Sequence, residues 1–207
     1  MERRAFIIRA DEGKRDLAEA ALRRSREALL AAAERNGVED FSVWGVEDLI
    51  LCYGEERSDG GAKALAGEML SALDGTASLL CAPGTMRLMY HDIGIVRPDK
   101  SLIRHRVFAT RLKPGCEEEY KRRHDGLIDA RGDRVSEGPD SNFTIWYGAG
   151  YIFGYDEKVR AFDRPPTEAE KAADIAWETR QLEIMDWITD DVDWITGQHH
   201  EAIRRIV

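Results

Sequence analysis

Most of the signatures that name a function are missing from this 207-residue chain, and each absence removes a class of protein. It contains no GxGxxG fingerprint, no P-loop and no GxSxG elbow. A glycine cradle for a nucleotide phosphate and a strained turn for a hydrolase serine are therefore both lacking. No cofactor is expected. Cysteine is scarce: Cys52, Cys81 and Cys116 are odd in number and show neither CxxC nor zinc spacing, so they read as reduced thiols. His199, His200 and Glu201 crowd the C-terminus, and His91 precedes Asp92. None has the i,i+4 histidine spacing or the cysteine partners of a zinc site, and no metal is expected.

Long hydrophobic runs are also absent. The opening MERRAFIIRADEG holds an apolar run of only four residues, too short for a signal peptide, and no later stretch is long enough to span a bilayer. A cytoplasmic protein without a membrane partner is expected. Nor is there an excess of positive charge. The formal net charge of −9 argues against nucleic acid, because binding a phosphate backbone needs a basic face that releases counterions. Arg23–Arg24 and Arg122–Arg123 alternate with acids on helical stretches and read as solvated faces. A small molecule remains as the expected partner.

What the chain does have is the composition of a globular protein, 43% hydrophobic and 33% charged, and an internal repeat. A shift of 102 positions superimposes Arg4, Phe6, Arg9 and Gly13 on Arg106, Phe108, Arg111 and Gly115 without a gap. It also brings Ala28, Phe41, Trp44, Ile50, Tyr53 and Glu55 onto Ala130, Phe143, Trp146, Ile152, Tyr155 and Glu157. These are ten identities over residues 4–55, where average composition gives roughly three. A duplication explains them.

Each copy reads as a strand (5–10; 107–112), a glycine turn and a long helix (14–35; 116–131). Two strands joined by a short loop follow (41–44 and 49–53; 143–147 and 151–155), then a second helix (62–73; 167–195). A closing strand comes last (86–96; 202–207). This βαββαβ order predicts an α+β fold of two ferredoxin-like units, residues 1–98 and 102–207, joined at RPDKS. A sheet covered by helices on one face leaves the other bare. The expected solution is a fused α+β barrel, an intramolecular pseudo-dimer that leaves room for a further homodimer. Two independent units, each pairing with another chain, are the alternative.

The copies differ on the long helix. CEEEYKRRHDGLIDAR sets Tyr120 and His124 four residues apart, hence on one face, with Leu127 and Arg131 continuing the stripe. The same stripe in the first copy is Ala18, Leu22, Ser25 and Leu29. One copy thus offers a proton-transfer pair where its sister offers packing. Glu117, Glu118 and Glu119 complement the dipole of the helix start. Phe143, Trp146 and Tyr155 are candidate rings for an apolar substrate face, although Phe41, Trp44 and Tyr53 repeat them in the first copy.

Residues 106–157 resemble the L-rhamnose mutarotase family, small single-copy proteins that form dimeric α+β barrels. The resemblance lies in RVFATRLKPGCEEEYKRRHDG, with its strand, glycine turn and Y-x-x-x-H pair, and in the later NFTIW. It implies that His124 is the proton donor and Tyr120 a sugar-contacting tyrosine. It places Phe143 where the family has a second tyrosine, keeping the ring and losing the hydroxyl. At the family's sugar-contacting tryptophan pair this chain has Ile184 and Met185, so Trp187 or Trp177 becomes the candidate for stacking. The expected function is a mutarotase-like isomerase that interconverts sugar anomers by acid–base proton transfer, which suits the near-neutral pKa of histidine. Two alternatives stand beside it. One is a cofactor-free barrel enzyme (cyclase, dehydratase, isomerase or oxygenase) for a larger, more apolar molecule; the other is a non-catalytic small-molecule binding protein.

Overall fold

The computed structural model describes residues 1–95, 97, 99–135, 140–159, 167–189 and 202–207. Among these, five α-helices and two separate antiparallel sheets make a mixed α+β fold. The elements run β1 (Glu2–Ala10), α1 (Arg15–Arg24), α2 (Arg26–Arg35), β2 (Val38–Val46), β3 (Leu49–Glu56), α3 (Gly61–Leu73), β4 (Ala77–Cys81) and β5 (Arg87–Gly94). A short 3-10 turn (Lys100–Leu102) leads to β6 (Ile103–Leu112), α4 (Glu117–Arg131), β7 (Asp140–Gly148), β8 (Tyr151–Val159), α5 (Glu168–Gln181), β9 (Met185–Trp187) and β10 (Arg204–Arg205). No helix among the described residues is long and apolar enough to cross a membrane.

Two compact units divide the chain: Met1–Met86 with Ala202–Val207, and Arg87–Glu201. The first carries a sheet of order β10-β2-β3-β1-β4. Alternation along β1 turns Phe6, Ile8 and Ala10 to one face, where they meet Ala18 and Leu22 of α1 and Leu65, Ala66, Met69 and Leu73 of α3. Its core is mostly aliphatic and aromatic, as the periodicity of α1 and α3 dictates, with Cys52 within it and Glu19 of α1 also buried.

The second unit carries a sheet of order β5-β7-β8-β6-β9. After β6, Gly115 at φ +79° makes the turn into α4. The hairpin between β7 and β8 closes through Ala149 and Gly150 at φ +52° and +85°, the paired left-handed residues of a tight two-residue turn. α5 begins at a capping box, in which Thr167 Oγ1 accepts from the Glu170 amide and the Glu170 carboxylate accepts from that of Thr167. Phe108, Leu112, Ile145, Ile152 and Tyr120 form the core between sheet and helices.

Several expectations shift. The strand expected at 86–96 to close the first unit is β5, and it pairs with β7 in the second sheet; the first sheet ends on β4 instead. The C-terminal strand expected to close the second unit is β10, paired with β2 in the first. The division accordingly falls between Met86 and Arg87, not at 98–102. Apolar alternation marked these strands correctly but carries no information about which sheet edge receives them. The helix expected over 167–195 ends at Gln181, where the chain turns into β9; residues 190–201, with His199, His200 and Glu201, lie outside the described residues. The helix at 14–35 is two segments meeting at Ser25, through which the i→i−4 hydrogen bonds nevertheless continue.

One packing detail fixes the sheet face that the site uses. Phe108 on β6 lies opposite Gly154 on β8, and a Cβ at Gly154 would sit 1.8 Å from the Phe108 ring. Gly154→Ala is expected to cost about 1–3 kcal/mol by overpacking, read as a lower urea midpoint with unchanged slope.

Candidate active site

α4 lies over the second sheet with Tyr120, Arg123, His124 and Ile128 turned inward, and Leu127 is 40% exposed. The inward stripe thus continues through Ile128 rather than Leu127, while Arg131 pairs with Asp92 of β5. The helix is anchored at its start by Glu117, which accepts a 2.8 Å hydrogen bond from the Tyr147 hydroxyl. Arg123 ties it to α5: its guanidinium binds Glu119 and Glu183 at 2.7 and 2.8 Å and donates to the Arg180 carbonyl. This clamp holds α5 beside His124.

His124 is 5% exposed and enclosed by rings. Tyr120 stacks on it with centroids 4.2 Å apart, while Tyr90 and Trp177 meet it edge-on at 5.6 and 5.4 Å. Phe143 extends this aromatic wall, 5.4 Å from Tyr90 and 6.1 Å from Phe108. His124 Nδ1 lies 3.0 Å from the Tyr120 carbonyl oxygen. A carbonyl only accepts, so Nδ1 carries the proton and Nε2 keeps its lone pair. Burial pushes the imidazole pKa down to about 4, against the opposing pull of the Tyr120 carbonyl and Asp125. The ring is therefore neutral at pH 7, with a basic nitrogen in an apolar setting. Burial, helped by the Glu178 charge, pushes the Tyr120 hydroxyl far up, so it stays protonated.

Acidic groups share this layer. Glu178 of α5 is 6% exposed; burial, then the neighbouring Asp174, push its pKa up to about 7 against the pull of Arg106. Arg106 Nη2 lies 2.8 Å from Asp156 Oδ2, and its guanidinium sits 5.9 Å from the Phe143 centroid. Asp156 is fully buried, and desolvation raises its pKa in spite of that arginine, with Asp140 adding to the rise.

The structure separates the residues expected from sequence. Tyr120, His124, Phe143, Ile184, Met185 and Trp187 line the helix-covered side, Trp187 from β9 opposite Thr110. Trp146 and Tyr155 do not join them. Tyr155 pairs with Thr144 and Val107, one residue out of phase with the Phe143–Ile145 and Phe108 set, so it points from the opposite face, as does Trp146. There Tyr155 meets His105 Nδ1 at 2.5 Å and Trp146 leans on Phe153. Repeat matching weighed ring types without strand parity, which is why these two were grouped with Phe143. Cys52, Cys81 and Cys116 are all free, as their number and spacing predicted.

No family model matches this chain. No curated protein matches it either. A solved structure described as a crystal structure study of an anthrone oxidase-like protein is similar over 98% of this chain and 88% of that one, at 11% identity and a TM-score of 0.42. At that distance the site must speak for itself.

Sequence reading missed Tyr90, Thr110, Glu178 and Gln181. Two signals were present: Thr110 stands where the repeat has Ile8, and Glu178 and Gln181 stand three residues apart, beside Trp177, on a helix that needs one inward stripe.

Proposed function

We propose that the second unit is a small-molecule enzyme of the general acid–base type, in which His124 Nε2 removes a proton from a flat, largely apolar substrate. Tyr90, Tyr120, Phe143 and Trp177 hold that substrate, and the reaction class is enolisation or isomerisation beside a carbonyl. The strand order in each sheet, with the first strand between the third and the fourth, supports reading each unit as ferredoxin-like.

One observation carries the proposal. A neutral imidazole, its Nδ1 capped by a carbonyl, is buried among rings at a place where the first unit packs Leu22. Burying a titratable ring in a core that its sister fills with leucine costs stability, and such perturbed groups concentrate at functional sites. The mutarotase reading draws on the same Tyr120–His124 stack. An apolar body is favoured because the side chains packed on the His124 ring are Tyr90, Tyr120 and Trp177, and because Trp146 and Tyr155 leave by the other face.

The test is proton exchange by the full chain in deuterated buffer at pH 7.5, read by NMR. 2-Tetralone, a flat ketone with an acidic methylene, is compared with anomer exchange of L-rhamnose and L-fucose. Accelerated tetralone exchange that His124→Gln abolishes is expected. Acceleration of the sugars alone would install the mutarotase reading in its place, and acceleration of neither would leave a binding protein.

A further inference from the structure

The inward side of α5 is polar where a buried helix stripe is ordinarily apolar. Gln181 is 2% exposed, and neither its amide oxygen nor its amide nitrogen has a partner among the described residues. Glu178, one turn earlier, leaves Oε2 unpartnered among the described residues at 6% exposure. Thr110 of β6 is 1% exposed with Oγ1 unpartnered among the described residues, and it stands between Phe108 and Leu112 on the face that α4 and α5 cover. In the first unit α3 buries Ala62, Leu65, Ala66, Met69 and Leu73, and the strand position matching Thr110 is Ile8. The same architecture is therefore built elsewhere in this chain without one of these polar groups. Burying an amide, a hydroxyl and a carboxyl unpaired costs free energy that apolar residues of similar shape avoid. Native proteins pair such groups, so three in one layer point to a ligand that pairs them.

We propose that Thr110, Glu178 and Gln181 form the polar end of the second-unit site and receive a carbonyl-centred group that both accepts and donates hydrogen bonds along one edge. The ligand class is a carboxamide, or a carbonyl whose enol form carries the donor hydroxyl, on a flat aromatic body. Gln181 supplies an acceptor and two donors, and Thr110 supplies either. Glu178 faces Arg106 from β6, Tyr120 from α4 and Asp174 on its own helix. Held partly protonated near neutrality, it adds a hydroxyl donor for the carbonyl oxygen. The rings around His124 then take the aromatic body. This inference rests on the acid–base reading for the position of the site and adds what the substrate must carry.

Two near-isosteric probes separate polar recognition from apolar burial: 2-naphthamide and 2-isopropylnaphthalene, with binding to the full chain followed by equilibrium dialysis. In the double variant Thr110→Val/Gln181→Leu, affinity for 2-naphthamide is expected to fall by roughly 10–100-fold, the worth of two or three hydrogen bonds. Affinity for the hydrocarbon is expected to hold or rise. Equal losses for both probes, or an unchanged amide affinity, overturn the proposal. Without ligand, the variant is expected to melt at a higher temperature because unpaired polar atoms are gone. A lower melting temperature would show that they are paired in the folded chain, and it too overturns the proposal. Wild-type exchange of 2-tetralone is a separate readout: its absence removes the acid–base reading, whereas the probe-selective loss reports on the polar end alone.

Discussion

His124→Gln is expected to lower 2-tetralone exchange by about 10²–10⁴-fold at pH 7.5, the usual worth of a positioned general base. Glutamine keeps the bulk and a hydrogen-bond donor for the Tyr120 carbonyl, which the imidazole Nδ1 now serves at 3.0 Å. What it cannot supply is a basic nitrogen. Loss of rate with an unaltered melting curve would therefore assign the effect to proton transfer rather than to packing. The pH profile gives a second signature. The imidazole acts only when neutral, and burial pushes its pKa down to about 4, so wild-type rate rises as pH climbs through about 4. This limb lies well below the ordinary histidine value of about 6.5 and is expected to vanish in the variant. A fall of less than threefold, or a limb near 6.5, would show that this buried ring is not the base.

The scaffold was legible in the sequence because helices and strands write their periods into it. The 102-residue repeat located paired elements in both units, and the Tyr120–His124 spacing placed both side chains on the covered face of α4. Strand exchange was not legible. β5 pairs with β7, and the two-residue β10 pairs with β2, through backbone groups that every sequence carries alike. The site was half legible. A change from Leu22 to His124 between copies is visible by inspection. The grouping of Trp146 and Tyr155 with Phe143 failed because a one-residue change of phase sends a side chain through the sheet, and Trp146 lies an odd number of positions from Phe143 while Tyr155 pairs with Thr144. Glu178 and Gln181 were obscured because charged and amide residues on a helix ordinarily face solvent. Only the packing of α5, held by Arg123, shows that these two do not.

Glu178→Gln is expected to stabilise the protein at pH 8 and to leave it nearly unchanged at pH 4.5. The folded carboxyl titrates at about 7 against an ordinary 4.5, so between these values the native state keeps a proton that the unfolded chain has released. The unfolded state then binds fewer protons than the native one, and stability falls as pH rises through this window and levels off above it. A carboxyl at about 7 rather than 4.5 corresponds to roughly 3 kcal/mol at most, of which glutamine, which does not titrate, recovers the larger part. His124 acts in the opposite sense. Its folded pKa of about 4 lies below the ordinary 6.5, so the native state sheds its proton first and stability rises between those values. In the wild-type chain the two slopes offset each other between about pH 4.5 and 6.5, leaving a shallow dependence. In Glu178→Gln the histidine slope stands alone, and stability climbs steeply across that range before reaching a plateau. Urea denaturation at pH 4.5, 6 and 8 reads both effects. Curves for the two proteins that run parallel through all three values would mean that the Glu178 carboxyl is ionised in the folded state, and the layer between α5 and the sheet would then be wet rather than enclosed.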